Sequence, residues 1–155
     1  ANLQSINIPD SVDTIGMYAF EGCTNLKSIV FPRNLQTLEY CVLHGCSKLS
    51  SVVLPEKLKT ISTLAFCWCE NLTEIDIPEG VTTIQYGAFD SCKRLSKISI
   101  PKSIRKIEEN AFNGCDSLKT IDYTGSQENQ KKINIVSAGN NALINATWNY
   151  GSIDP

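Results

Sequence analysis

Apolar residues recur along this chain at a step of 23 residues, without an insertion. Leu3, Ile6, Ile8, Val12, Ile15, Ala19, Phe20 and Cys23 are followed one step on by Leu26, Ile29, Phe31, Leu35, Leu38, Val42, Leu43 and Cys46. Later copies restore Ala-Phe at Ala65-Phe66, Ala88-Phe89 and Ala111-Phe112. Pro9, Pro32, Pro55, Pro78 and Pro101 keep the same step, as do Cys23, Cys46, Cys69, Cys92 and Cys115. A fixed period of this length means that one supersecondary unit is laid down repeatedly along an axis. Within the unit, Ile-x-Ile has the two-residue alternation of a strand, with β-branched side chains that suit a pleated surface. Proline ends that strand because it has no amide hydrogen for a ladder. Val-x-x-Ile predicts a second short extended piece, and Ala-Phe-x-x-Cys a single helical or 3₁₀ turn that returns the chain. One unit cannot cover its own apolar face, whereas units stacked at about 4.8 Å do. At roughly 1.5–3 kcal/mol for each inward Leu, Ile, Val or Phe, rows of like residues, Phe20, Phe66, Phe89 and Phe112 among them, are expected to dominate folding.

Side chains between the inward strand positions should face outward. One such column reads Ser5, Ser28, Ser51, Glu74, Lys97, Thr120, and its neighbour Asn7, Val30, Val53, Asp76, Ser99, Asp122. Ser28, Val30, Ser51, Val53, Glu74, Asp76, Lys97 and Ser99 are therefore the first candidate binding surface, with Glu74 and Asp76 expected beside Lys97. Breaks in the pattern mark a second. Trp68 stands where other copies have Gly22, Gly45, Ser91 and Gly114, and Leu64 where they have Gly87 or Asn110. With Tyr40 and Tyr86 these form a candidate aromatic patch in the turn region, of the kind that marks contacts between proteins; the alternative is that Trp68 folds back over Tyr40 or Leu64. Acidic residues from Glu70 to Glu79 also precede a basic group, Lys93, Arg94, Lys97, Lys102, Arg105 and Lys106. That division reads as solvated faces or as an electrostatic contact surface.

Composition narrows the function classes. With 42% apolar and 19% charged residues the chain is not a disordered segment. A net charge of −2 lacks the basic footprint of a nucleic-acid binder, and no apolar run reaches the roughly 18 residues of a membrane helix. Five of the seven cysteines fill one repeat column and are expected to be buried thiols. Cys41 and Cys67 lie outside it in adjacent repeats, so a bridge between them stays open. Spacing of 23 residues and a single histidine, His44, do not suit zinc. His44 falls in a polar, variable column with Glu21, Cys67, Asp90 and Asn113, which marks a solvent-facing slot. Neither Gly-rich phosphate loop, HExxH nor GxSxG is present. No catalytic residue, metal or cofactor is expected.

The repeat resembles the 23-residue Treponema-type, or BspA-like, leucine-rich repeat of bacterial surface proteins. The resemblance implies a right-handed leucine-rich repeat solenoid with one parallel β-ladder on the concave side, short strands and helical turns elsewhere, and protein-binding or adhesive roles. It implies no shared catalytic residues. Residues 1–123 read as the repeats, five complete plus the start of a sixth, and 124–155 as a C-terminal cap. Ile133-Asn134-Ile135 and the stretch from Ala146 to Tyr150 are strand candidates around the Gly139-Asn140-Asn141 turn. Gln130 occupies the place of the family's usual Trp, and Trp148 is expected to supply apolar mass there. Ala1-Asn2-Leu3 repeats the juncture Thr24-Asn25-Leu26, so the chain is expected to start inside a repeat of a longer protein, any export signal lying in the missing part. The leading expectation is a non-catalytic module, monomeric and extracellular or at the cell surface, that binds a protein or glycan. A structural spacer, or the recognition part of a larger secreted enzyme, is the alternative.

Overall fold

The computed structural model describes residues 2–151. In chain order the elements are β1 (Ser28–Val30), β2 (Thr37–Leu38), β3 (Ser51–Val53), β4 (Thr60–Ile61), β5 (Glu74–Asp76), β6 (Thr83–Ile84) and β7 (Lys97–Ile100). They continue with β8 (Lys106–Ile107), β9 (Thr120–Tyr123), α1 (Gln127–Gln130), β10 (Asn134–Ile135), α2 (Asn141–Asn145) and β11 (Thr147–Tyr150). Every pairing is parallel, and within the repeats the register is one period, as in Ser28 beside Ser51 and Thr60 beside Thr83. The Ile-x-Ile strands form the first face and the two-residue pieces (Thr-Leu, Thr-Ile, Lys-Ile and Asn-Ile) a five-stranded second sheet, β10-β8-β6-β4-β2. Both extended pieces of the repeat are thus present, in a parallel-strand solenoid. The first face is not one unbroken ladder. It divides into β1-β3 and β11-β9-β7-β5, with no pairing between β3 and β5.

Between the Thr-Ile strand and the next Ile-x-Ile strand the chain returns through tight turns, and their bonding alternates. Ala88, Asp90 and Cys92 donate amides to carbonyls three residues back, as in a 3₁₀ turn. Gly87, Phe89 and Ser91 donate instead to Glu109, Ala111 and Asn113 of the following coil, at 3.2, 2.8 and 2.7 Å. No continuous helix can build, because every second amide belongs to the neighbour. The alternation needs two left-handed residues per coil. Tyr18, Cys41, Leu64, Gly87 and Asn110 form one such column, with φ from 55 to 60°, and Gly22, Gly45, Trp68, Ser91 and Gly114 the other, from 60 to 74°.

Inside, like residues stack in file. The rings of Phe66 and Phe89 are 5.2 Å apart and those of Phe89 and Phe112 5.3 Å, nearly parallel in both cases. Leu43 fills the same row one coil earlier, and Phe20 packs partly exposed at its start. Leu26, Leu49, Leu72 and Leu95 are fully buried beside them. The thiols make a further row. Cys46, Cys69, Cys92 and Cys115 each donate Sγ–H to the carbonyl of the residue 26 positions back, at 3.1 to 3.3 Å.

Residues 124–151 make one more coil, lengthened from 23 to 28 residues at β10 (Asn134 beside Lys106) and 27 at β11 (Thr147 beside Thr120). Two short helices absent from the sequence reading take up the extra length. The first is opened by a capping box between Ser126 and Asn129. Trp148 packs edge-on against Tyr123 at 5.7 Å and donates its indole N–H to the Leu143 carbonyl. The return side closes by a substitution of chemistry. The Phe112 amide, which in earlier coils would meet a backbone carbonyl, donates to the side-chain oxygen of Asn140 at 3.0 Å. The same side chain donates to the Glu108 and Val136 carbonyls at 2.8 and 2.7 Å and is fully buried. Gly139 precedes it at φ +71°, where a Cβ would fall 1.9 Å from Asn110 Oδ1. Asn140→Ala should therefore cost about 2 kcal/mol in denaturant unfolding, since it strands the buried Phe112 amide and the Val136 carbonyl, while the Glu108 carbonyl keeps the Ala111 amide. The exposed neighbour substitution Asn141→Ala should stay within about 0.5 kcal/mol.

Candidate functional site

The outward columns of the first face fall into two chemically different halves. In the N-terminal half Ser28 lies beside Ser51 and Val30 beside Val53. Val30 and Val53 are 58% and 51% exposed, unusual for apolar side chains at adjacent positions. They line a shallow depression of about 360 Å³ together with Pro9, Asp10, Arg33 and Glu56, and Arg33 pairs with Asp10 across one coil at 3.6 Å. In the C-terminal half Glu74 lies beside Lys97, and Asp76 beside Ser99, which donates its hydroxyl to Asp76 at 2.6 Å. Lys97 does not bond Glu74. Its ammonium sits 2.8 Å from Asp122 on the far side, raising its own pKa and lowering that of Asp122, chiefly through this hydrogen bond. Both groups are exposed, so the pair contributes little to stability. The chemical boundary between the halves coincides with the missing ladder between β3 and β5.

In the turn region no ring contact joins Tyr40, Trp68 and Tyr86 to one another among the described residues. Tyr40 meets Tyr18 edge-on at 5.4 Å. Leu64 is half-buried, with its side chain over Gly87, while Tyr86 is exposed and accepts a hydrogen bond from Asn110. Trp68 covers neither Tyr40 nor Leu64. It stacks on His44 at 5.9 Å and remains 56% exposed. His44 in turn lies 3.3 Å from a Glu21 oxygen. What the sequence reading missed is the backbone beneath Trp68. At φ +62° an indole side chain occupies a conformation costing an L-residue roughly 1–2 kcal/mol, and the glycines at 22, 45 and 114 were its visible trace.

The seven cysteines are free and buried, Cys41 and Cys67 included. Burial pushes the Cys46, Cys67 and Cys115 thiols up to about 12, and Cys69 and Cys92 well above their ordinary value. A thiol so held is a poor nucleophile, so Cys67, in the coil after His44, does not form an activated pair with it. Among the described residues no cluster of three or more His, Cys, Asp and Glu side chains could hold a metal ion, and no helix is long and apolar enough to cross a membrane.

Parallel strands stacked coil on coil, with leucine at a fixed inward position, define a leucine-rich repeat solenoid. The family model for the BspA type leucine rich repeat region matches residues 1–119 in six copies, and the chain belongs to that family. It is similar to a leucine rich cell surface protein of Faecalibacterium prausnitzii, at 32% identity and TM-score 0.83 over 87% of this chain and 36% of that one. A leucine-rich repeat protein of Eubacterium ventriosum shares 28% identity, TM-score 0.78, over 99% of this chain and 38% of the other. The leucine-rich repeat protein of T. pallidum, at 22% identity and TM-score 0.78 over 98% of this chain and 71% of that one, shares the fold. The chain thus spans about a third of the first two proteins. No curated protein matches it.

Two outcomes follow from this geometry. The unfolded chain releases thiol protons near pH 9.0, whereas the folded chain holds those of Cys46, Cys67 and Cys115 to about 12. The folded state therefore binds more protons in this window, and stability falls as pH rises through it. The urea midpoint should be lower at about pH 10.5 than at about pH 8, and at the lower pH a thiol reagent should label these cysteines only after unfolding. At position 68 the ordinary order of substitutions should invert: Trp68→Gly should be more stable than Trp68→Ala by about 1 kcal/mol, because both lose the indole and only glycine relieves the left-handed backbone.

Proposed function

We propose that this chain is a non-catalytic recognition module of a bacterial surface or secreted protein that binds a protein partner through the first strand face. The observation that supports this most directly is the pair Val30 and Val53, both more than half exposed and in register, in a depression bordered by Asp10, Arg33 and Glu56. Apolar groups in a polar surround are the usual anatomy of a protein contact. Ser28, Ser51, Glu74, Asp76, Lys97 and Ser99 extend that surface along the axis and would set register and partner choice more than affinity. In this reading residues 1–123 carry the recognition surface and 124–155 cap it. An extracellular location fits the cell-surface description of the Faecalibacterium relative. A second contact at the turn region is favoured by one observation, that Trp68 keeps an exposed indole on a strained backbone. Such strain commonly accompanies function.

An array of purified extracellular proteins and glycans, probed with the intact chain, identifies the ligand. Against a protein ligand found this way, the double substitution Val30→Asp and Val53→Asp should weaken binding by about tenfold or more, with the thermal midpoint within a few degrees of wild type. Unchanged binding by a folded double variant would remove the strand face from consideration. A loss confined to Trp68→Ala would move the site to the turn region. Binding of glycans alone would overturn the choice of a protein partner.

A further inference from the structure

Charge is distributed unevenly along the axis. Residues 1–92 hold five Lys and Arg against ten Asp and Glu, whereas residues 93–132 hold nine against five. Several cations of the second group are neutralised locally. Lys93 pairs with Glu70, Lys97 with Asp122 and Lys106 with Glu108. Lys102, Arg105 and Lys132 form no ion pair among the described residues, and all three line one cleft of about 450 Å³ where the coil after Pro101 meets α1. That volume lies in the range of small ligand sites. The guanidinium is fixed in place, because Arg105 Nη1 donates to the Lys102 and Ile104 carbonyls at 2.8 and 3.2 Å while its other N–H groups stay available. Asn129, exposed, adds a side-chain amide to the lining, and the buried Ile104 forms part of the cleft floor.

Glu79 also lines the cleft, yet it serves the protein's own framework. Its Oε1 accepts from the Thr124 hydroxyl at 2.6 Å, and Thr124 Oγ1 in turn accepts from the Lys102 amide at 2.8 Å. The Tyr123 hydroxyl is buried with no hydrogen-bond partner, and its phenol feels the opposed charges of Arg105 and Glu79. Three unpaired cations around one occupied carboxylate leave a site that is positive and still mixed in sign. A densely sulfated chain would meet Glu79 and find no continuous basic strip. A peptide with one or two acidic side chains meets the cations and the Asn129 amide at once while leaving Glu79 to its own partner.

We propose that this cleft docks an acidic peptide segment of a partner, with one carboxylate seated between Lys102, Arg105 and Lys132. The site is separate from Val30 and Val53, so it stands or falls independently of the strand-face reading.

The test is an amide-resolved NMR titration of the intact chain at low salt with a hexaglutamate peptide, a hexaglutamine peptide and a heparin hexasaccharide. Saturable shifts centred on residues 102–105 and 129–132 with hexaglutamate, and none with hexaglutamine, are expected. Lys102→Gln with Lys132→Gln should weaken binding about tenfold, and Lys48→Gln with Lys57→Gln, the same charge change on other coils, less than about twofold. Equal losses for the two double variants, shifts spread over all lysines, or no saturable binding would overturn the site. Tighter binding of the hexasaccharide at the same residues would overturn the peptide as its occupant.

Discussion

A solenoid must give every axially directed amide a carbonyl one coil away, and this requirement governs the rest of the molecule. Here it is met on three sides, by the strand ladders of the two faces except between β3 and β5, and by the return turns, where Gly87, Phe89 and Ser91 reach Glu109, Ala111 and Asn113. A residue inserted in one coil would put all three out of register with the next, because side chains and hydrogen-bonding groups both alternate along the chain. That accounts for a period of 23 held without exception from Pro9 to Pro101. It also accounts for stacking like on like. Once the backbone is locked coil to coil, Phe66, Phe89 and Phe112 have no arrangement open to them except a file.

The same requirement shows where sequence reading succeeds and where it fails. Inward and outward columns were legible because they depend on side-chain polarity alone, and Val30, Val53, Glu74 and Lys97 do face outward. The return turns were less so. Their left-handed positions are plain where glycine holds them, at 22, 45 and 114, and hidden where Trp68 or Leu64 does. Asn140 was legible only as part of a turn. Its role as a stand-in for a backbone carbonyl depends on the lengthening of the last coil, which no periodicity describes. The missed pairing between β3 and β5 lies beyond a repeat pattern for a related reason: Ser51, Val53, Glu74 and Asp76 occupy consensus positions, and nothing in the spacing sets them apart.

Locking the backbone this firmly removes the interior from function. The thiol row illustrates the consequence. A cysteine column could be mistaken for redox or metal chemistry, yet Cys46, Cys69, Cys92 and Cys115 each bond through Sγ to a carbonyl of the preceding coil, and burial raises their pKa values. Sulfur here is a small, weakly donating side chain that spans the gap between coils. Chemistry that can vary without cost to the fold is left to the outward strand columns and to the rim of the return turns.

Those outward columns form a grid whose pitch along the axis is the strand spacing of about 4.8 Å, with one side chain per coil. Val30 and Val53 span a single pitch, and Asp76, Ser99 and Asp122 occupy the next three coils beyond. A partner engaging the apolar pair together with Lys97 must therefore bridge three steps from the coil of Val30, about 14 Å. It must also cross the unpaired junction between β3 and β5, where adjacent coils are not tied by a ladder. Contact over that distance selects for an extended partner surface rather than a compact ligand. The cleft of Lys102, Arg105 and Lys132 differs in kind, since it is built where the regular grid stops and α1 turns away. Regular coils present a broad, shallow surface, and the irregular last coil supplies concavity.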